Sequence, residues 1–195
     1  LRLRPDDERS LAVLARIEGE AGRPVEAERL LLDGLARFPR SRLLLERRAA
    51  FLEARGRPAE AREAWLGAIA AGSGTSARVG LARSLVALGR GGEAFAEARR
   101  AVTLSPSSLE ARLLVAEIHE RAGRPLAAAS VLADACRARP FDPVPARLLF
   151  ELALRERRAR SVAKSALAGI ERSFGRPARN LALREAIAAF RASAS

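Results

Sequence analysis

Few residues in this chain are equipped for covalent chemistry. His119 is the single histidine and Cys136 the single cysteine. A general base or nucleophile works only beside a group that orients or activates it, and one histidine with one cysteine excludes a Cys/His zinc site and a disulfide framework alike. The run Gly72-Ser73-Gly74-Thr75-Ser76 has the glycines and hydroxyls of a phosphate loop, but no lysine follows it and no strand precedes it. Trp65 offers a face for stacking a ligand, and Arg155, Arg157, Arg158 and Arg160 offer a dense positive run for an anion. No set of acid, base and nucleophile converges. The expectation is therefore a protein that is not an enzyme, with no cofactor, no metal and no small-molecule substrate.

The elements that position these residues recur in step. Gly22, Gly56, Gly89 and Gly123 are spaced by 34, 33 and 34 residues. Ala27, Ala61, Ala94 and Ala128 follow five residues later each time. Pro5, Pro39, Pro106 and Pro140 keep the same step, with Ser73 where a further proline would fall. Such a period is the signature of a stacked repeat architecture. Each unit reads as two helices: Ala111, Leu114, Val115, Ile118 and Ala122 keep helical spacing, and so do Ala128, Val131, Leu132 and Ala135 after the turn. The glycine between them suits a left-handed position after the first helix. Pro24, Pro58 and Pro125 suit the first turn of the second. So short a turn forces the two helices antiparallel. Two further series, Ala15, Ala49, Ala82, Ala116 and Gly34, Ala68, Ala101, Ala135, mark where helices approach closely.

These markers resemble the tetratricopeptide repeat family, whose unit is a helix pair with small residues and a closing proline at fixed positions. The resemblance covers four units, 8–41, 42–74, 75–108 and 109–142. It extends to a degenerate fifth, 143–174, in which Phe150, Val162 and Gly169 take the small-residue positions and Arg157 replaces the turn glycine. The family's aromatic at the fourth position is replaced by Leu11, Leu45, Arg78 and Arg112. Residues 178–192, beyond Pro177, are expected to form a capping helix anchored by Leu181, Ile187 and Phe190. The fold class implied is all-α, a right-handed α-solenoid of antiparallel helix pairs. Residues 1–7 read as the tail of a preceding, truncated repeat. With no Met in the sequence, the expectation is a fragment of a longer protein, and compartment is then not legible.

In the family, the second, fifth, ninth and twelfth positions of each first helix line a concave groove. Here they are Arg9, Ala12, Arg16 and Gly19; Leu43, Glu46, Ala50 and Glu53; Ser76, Val79, Arg83 and Val86; Glu110, Leu113, Glu117 and Glu120; and Val144, Arg147, Glu151 and Leu154. Their charges sum to −2, although the 195-residue chain carries +12. A groove following a phosphate backbone concentrates Lys and Arg instead. The fifth-position set is no base-reading code, and the carboxylate-clamp pattern of chaperone-binding repeats is missing at Ala12, Arg16, Arg47, Ser76 and Gly80. The partner expected is a protein or peptide, touched by Arg9, Arg16, Glu46, Glu53, Arg83, Glu117 and Glu120.

The alternative is binding of nucleic acid or an anionic surface by the basic C-terminal face, since residues 141–195 hold 11 basic and 5 acidic residues. Nucleic acid is the less favoured partner. Direct membrane insertion is not expected, because the longest stretch without a charge is fourteen residues, Ala64–Ala77, against about 20 for a span. Arginine outnumbers lysine 34 to 1, which with abundant Ala and Gly suggests a bacterial origin.

Overall fold

The computed structural model describes residues 7–139, 142–174 and 181–193, with the side chains of 171–174 and 181–183 excluded. Residues 1–6 of the expected truncated repeat, the junction residues Pro5 and Pro140, Pro177, and the side chain of Leu181 lie outside the described residues. Within them the chain is helical, with no strand. The helices are α1 (Glu8–Glu20), α2 (Pro24–Arg37), α3 (Arg42–Ala54), α4 (Pro58–Ala70), α5 (Thr75–Ala87) and α6 (Gly91–Leu104). They continue as α7 (Leu109–Arg121), α8 (Pro125–Ala138), α9 (Pro143–Arg155), a single 3-10 turn at Arg157–Ala159, α10 (Arg160–Phe174) and α11 (Leu181–Ala192). None is long and apolar enough to cross a membrane.

Two local devices set these boundaries. First helices other than α5, whose N-cap is Gly74, begin at side-chain caps: Asp7, Ser41, Ser108 and Asp142 accept the backbone N–H of Ser10, Leu44, Ala111 and Val144 at 2.8, 3.2, 3.3 and 3.0 Å. All first helices but α9 end on glycine. Gly22, Gly56, Gly89 and Gly123 sit at φ +74, +67, +73 and +66°, where a Cβ is strained. The N–H of the next residue then reaches back to close the helix, as from Arg23 to the Glu18 carbonyl at 2.9 Å. Gly72, at φ +93°, closes α4 the same way through Ser73 N–H to the Ala68 carbonyl at 2.9 Å. The glycine-rich run 72–76 is thus a helix stop at a junction without proline. Pro24, Pro58 and Pro125 stand at the first turn of α2, α4 and α8, where no N–H partner is needed.

The structure divides into two compact units between Pro106 and Ser107. In the first, α1 packs on α2, α3 on α4 and α5 on α6, while α3 also meets α1, α2 and α5. Ala27, Ala61, Ala94 and Ala128, the last in the second unit, are each 0% exposed. They are methyl-sized because neighbouring helices touch there. Trp65 supplies the tightest approach: a Cβ on Gly80 would lie 2.2 Å from its ring.

In the second unit α7 packs on α8, α8 on α9 and α10, and α11 on α9. The α9–α10 connection lacks a glycine. Glu156 stays extended at φ −119°, and the 3-10 turn buries Ala159 completely. Phe150, at a position the repeat keeps small, is fully buried and stacks on Phe190 of α11 at 5.2 Å between ring centroids. Ile187 and Phe190 are both buried, so α11 covers the apolar face that α9 would otherwise expose. By contrast, a Cβ on Gly169 would meet nothing within 4 Å.

Candidate functional site

On α3, Glu46 and Glu53 turn toward their own unit. Glu53 Oε1 accepts from Trp65 Nε1 and from Ser84 Oγ, both at 3.1 Å, and so joins α3 to α4 and α5. Glu46 Oε1 accepts from Ser73 Oγ at 2.6 Å, tying α3 to the junction after α4. A half-buried carboxylate is stabilised by such donors, so both residues hold helices in place whatever else they touch. Ala12 and Val79 are each 1% exposed. The fifth position of these first helices therefore lies in the seam between helices rather than on an open groove. Arg9 and Arg83 are exposed, on α1 and α5. The guanidinium of Arg16 is bound bidentately by Glu20 on the same helix at 2.7 and 2.8 Å.

Between α1 and α3 the first unit opens a groove of about 440 Å³. Its apolar lining is Ala15, Gly19, Pro24, Leu31, Ala50, Phe51 and Ala54. Arg16 and Glu20 form one rim and Arg47 and Arg55 the other. Of the residues expected to touch a partner, Arg16 alone lines this space. Arg9, Glu46, Glu53 and Arg83 lie outside it. Arg55 occupies a helix position the family pattern does not mark, and Arg47 stands at a position of the carboxylate-clamp pattern that this chain lacks. The signal that could have found them is their i, i+8 spacing around Phe51, which puts all three on one side of α3.

The second unit has a counterpart of about 310 Å³ lined by Glu120, Pro125, Leu152, Arg155, Glu156 and Arg158. One pair of its charges is matched across it, and a second pair lies nearby. Arg155 donates to Glu120 at 3.2 Å and Glu117 accepts from Arg121 at 2.9 Å. Arg160 turns away, its Nε donating to the Ala153 carbonyl at 3.3 Å. Arg157 and Arg158 are exposed.

His119 is partly buried and its imidazole is shifted below its usual range, first by burial and then by Arg124. Burial pushes the Cys136 thiol up to about 12, which leaves it protonated and unreactive at neutral pH. Both residues sit on the packed sides of α7 and α8, and among the described residues no three His, Cys, Asp and Glu side chains gather as metal ligands would. Trp65 is 5% exposed, with its ring against Gly80 and its N–H on Glu53, so it packs rather than stacks a ligand.

Known proteins extend these observations. The chain resembles solved structures in fold. One is PilW, a widely conserved type IV pilus biogenesis factor (TM-score 0.73, 20% identity, covering 94% of this chain and 84% of that one). Another is MamA from Desulfovibrio magneticus RS-1 (0.69, 15%, 87% and 97%). A third is YrrB, a TPR protein with an unusual peptide-binding site (0.63, 16%, 93% and 92%). No curated protein sequence matches it. The family model for the tetratricopeptide repeat matches residues 13–77 and 79–143. With two thirds of its residues under that model, the chain belongs to the tetratricopeptide repeat family, whose members are in general non-catalytic protein-interaction scaffolds.

Proposed function

We propose that this chain is a non-catalytic scaffold that holds a protein or peptide partner against the first helices of its repeats, α1, α3 and α5 in one unit and α7 and α9 in the other. The larger protein it serves would be an assembly or regulatory factor of bacterial type. The observation that carries this reading is the family match itself, which spans residues of both units. Further support comes from the chemistry of the exposed residues: the first helices present charges of both signs, which select a partner and its register more than they add affinity.

The test is affinity capture with the intact protein followed by mass spectrometry of what is retained. Glu117→Lys combined with Glu120→Lys should weaken capture about tenfold while the helical circular dichroism stays unchanged. If that variant and Arg16→Glu with Arg83→Glu both capture the partner as well as the parent protein does, docking on the first helices is wrong. Binding of an anionic surface through the C-terminal basic run has less support, because Arg155 and Arg160 are engaged within the protein.

A further inference from the structure

We infer that the α1–α3 groove takes an extended segment of an acidic partner, with a large apolar side chain seated on Phe51 and a carboxylate on each side of it. The inference rests on the docking reading above and specifies the chemistry of what docks.

Three observations lead there. The apolar residues lining the groove are small except for Pro24, Leu31 and Phe51. Leu31 is 2% exposed, so the cleft is backed by packed core. It therefore has the depth to receive a side chain. The two rims also differ in charge. On α1, Arg16 and Glu20 neutralise each other at 2.7 Å. On α3, the side chains of Arg47 and Arg55 are exposed and make no ion pair or hydrogen bond among the described residues. Elsewhere many arginines are neutralised, as Arg57, Arg78, Arg90 and Arg121 are, each meeting a carboxylate at 2.6 to 2.9 Å. The α3 rim thus carries two uncompensated positive charges beside an apolar cleft.

Spacing then narrows the occupant. Arg47 and Arg55 are eight residues apart on one helix, about 12 Å along its axis, with Phe51 midway. An extended peptide rises about 3.3 Å per residue and sends alternate side chains to the same face. Residues i, i+2 and i+4 therefore face one way and span about 13 Å. Acidic residues at i and i+4 with an apolar residue at i+2 would set carboxylates on both guanidiniums and the apolar group on Phe51. Arginine favours this partner because its planar fork donates two parallel hydrogen bonds to a carboxylate.

The experiment uses fluorescently labelled synthetic peptides and the full chain, read by anisotropy. One peptide carries glutamate, leucine and glutamate at alternate positions. A second has glutamine for both glutamates, and a third has lysine for both. The glutamate peptide should bind at least roughly tenfold more tightly than the glutamine peptide, with the preference fading as salt is raised. Arg47→Glu with Arg55→Glu should abolish that preference and confer binding of the lysine peptide. Because both arginines are exposed, this variant keeps its helical content, and the gained lysine binding shows independently that it is folded. Ala50→Trp, which fills the groove from an exposed position, should weaken the glutamate peptide without altering rim charge.

Equal binding of the glutamate and glutamine peptides, or an unchanged preference in the double variant, overturns the inference and leaves the docking reading standing. That reading fails on its own terms through the capture experiment above. Binding of a single-stranded oligonucleotide at the expense of the glutamate peptide, with the same dependence on Arg47 and Arg55, also overturns the inference.

Discussion

The two units place a cleft at the same structural address and treat its charge differently. In the first unit Pro24, at the start of a second helix, faces α3 of the next repeat. In the second, Pro125 faces α9. Around Pro125, Arg155 is matched by Glu120, while Arg158 stays exposed at the edge. Around Pro24, Arg47 and Arg55 are matched by nothing among the described residues. Repeat geometry makes the cleft because the tight turn ends short of the following helix. Rim side chains lie outside the helix–helix seams, so their charge varies without disturbing the fold. A repeat unit thus supplies a place for a partner, and the rim supplies the choice of partner.

The second unit breaks most readily at its end. Phe150→Ala removes the ring that stacks on Phe190 and leaves a cavity under α11, at a cost of about 3–5 kcal/mol. Cys136 is the probe: its buried thiol should react slowly with a maleimide in the parent protein and much faster in the variant. In the first unit, Gly80→Ala forces a methyl into the Trp65 ring and should cost about 1–3 kcal/mol. Because Trp65 is the only tryptophan, its fluorescence reports that change directly. An unmoved melting temperature for Gly80→Ala would mean that the ring has room to shift.

The charge contrast itself is sharpened by Glu120→Gln, which releases Arg155. The second unit's recess should then gain affinity for the glutamate peptide, by about threefold, while the first unit's groove is unaffected. The smallest effect is a pH dependence. Burial holds the His119 pKa below its ordinary 6.5, so the unfolded chain takes up a proton before the folded one does. Its contribution to stability is present above pH 6.5 and is lost as pH falls toward the folded value. His119→Gln should flatten the melting temperature in that interval. As the only histidine, His119 makes any such dependence a property of the second unit.

Much of the fold is legible in the sequence because its markers act locally. Gly22, Gly56, Gly89 and Gly123 adopt positive φ, and the alanine series are buried where the period puts them. Ile187 and Phe190 are buried as the anchors of the last helix. The partner surface is less legible. Glu46 and Glu53 look like groove residues by position, yet each accepts a hydrogen bond from a side chain at least twelve residues away. Ala12 and Val79, also groove positions by count, are closed over by neighbouring helices. The absence of a Cβ at Gly80 follows from Trp65, on another helix.

By itself, then, the sequence determined the helix pairs, their turns and the methyl-sized contact points, because capping, φ preference and 3.6-residue periodicity depend on a few neighbouring residues. Tertiary structure alone decided which charges are spent inside the protein and which face outward. Whether Glu53 finds Trp65, or Arg55 finds no carboxylate, depends on distances across helices that no spacing along the chain encodes.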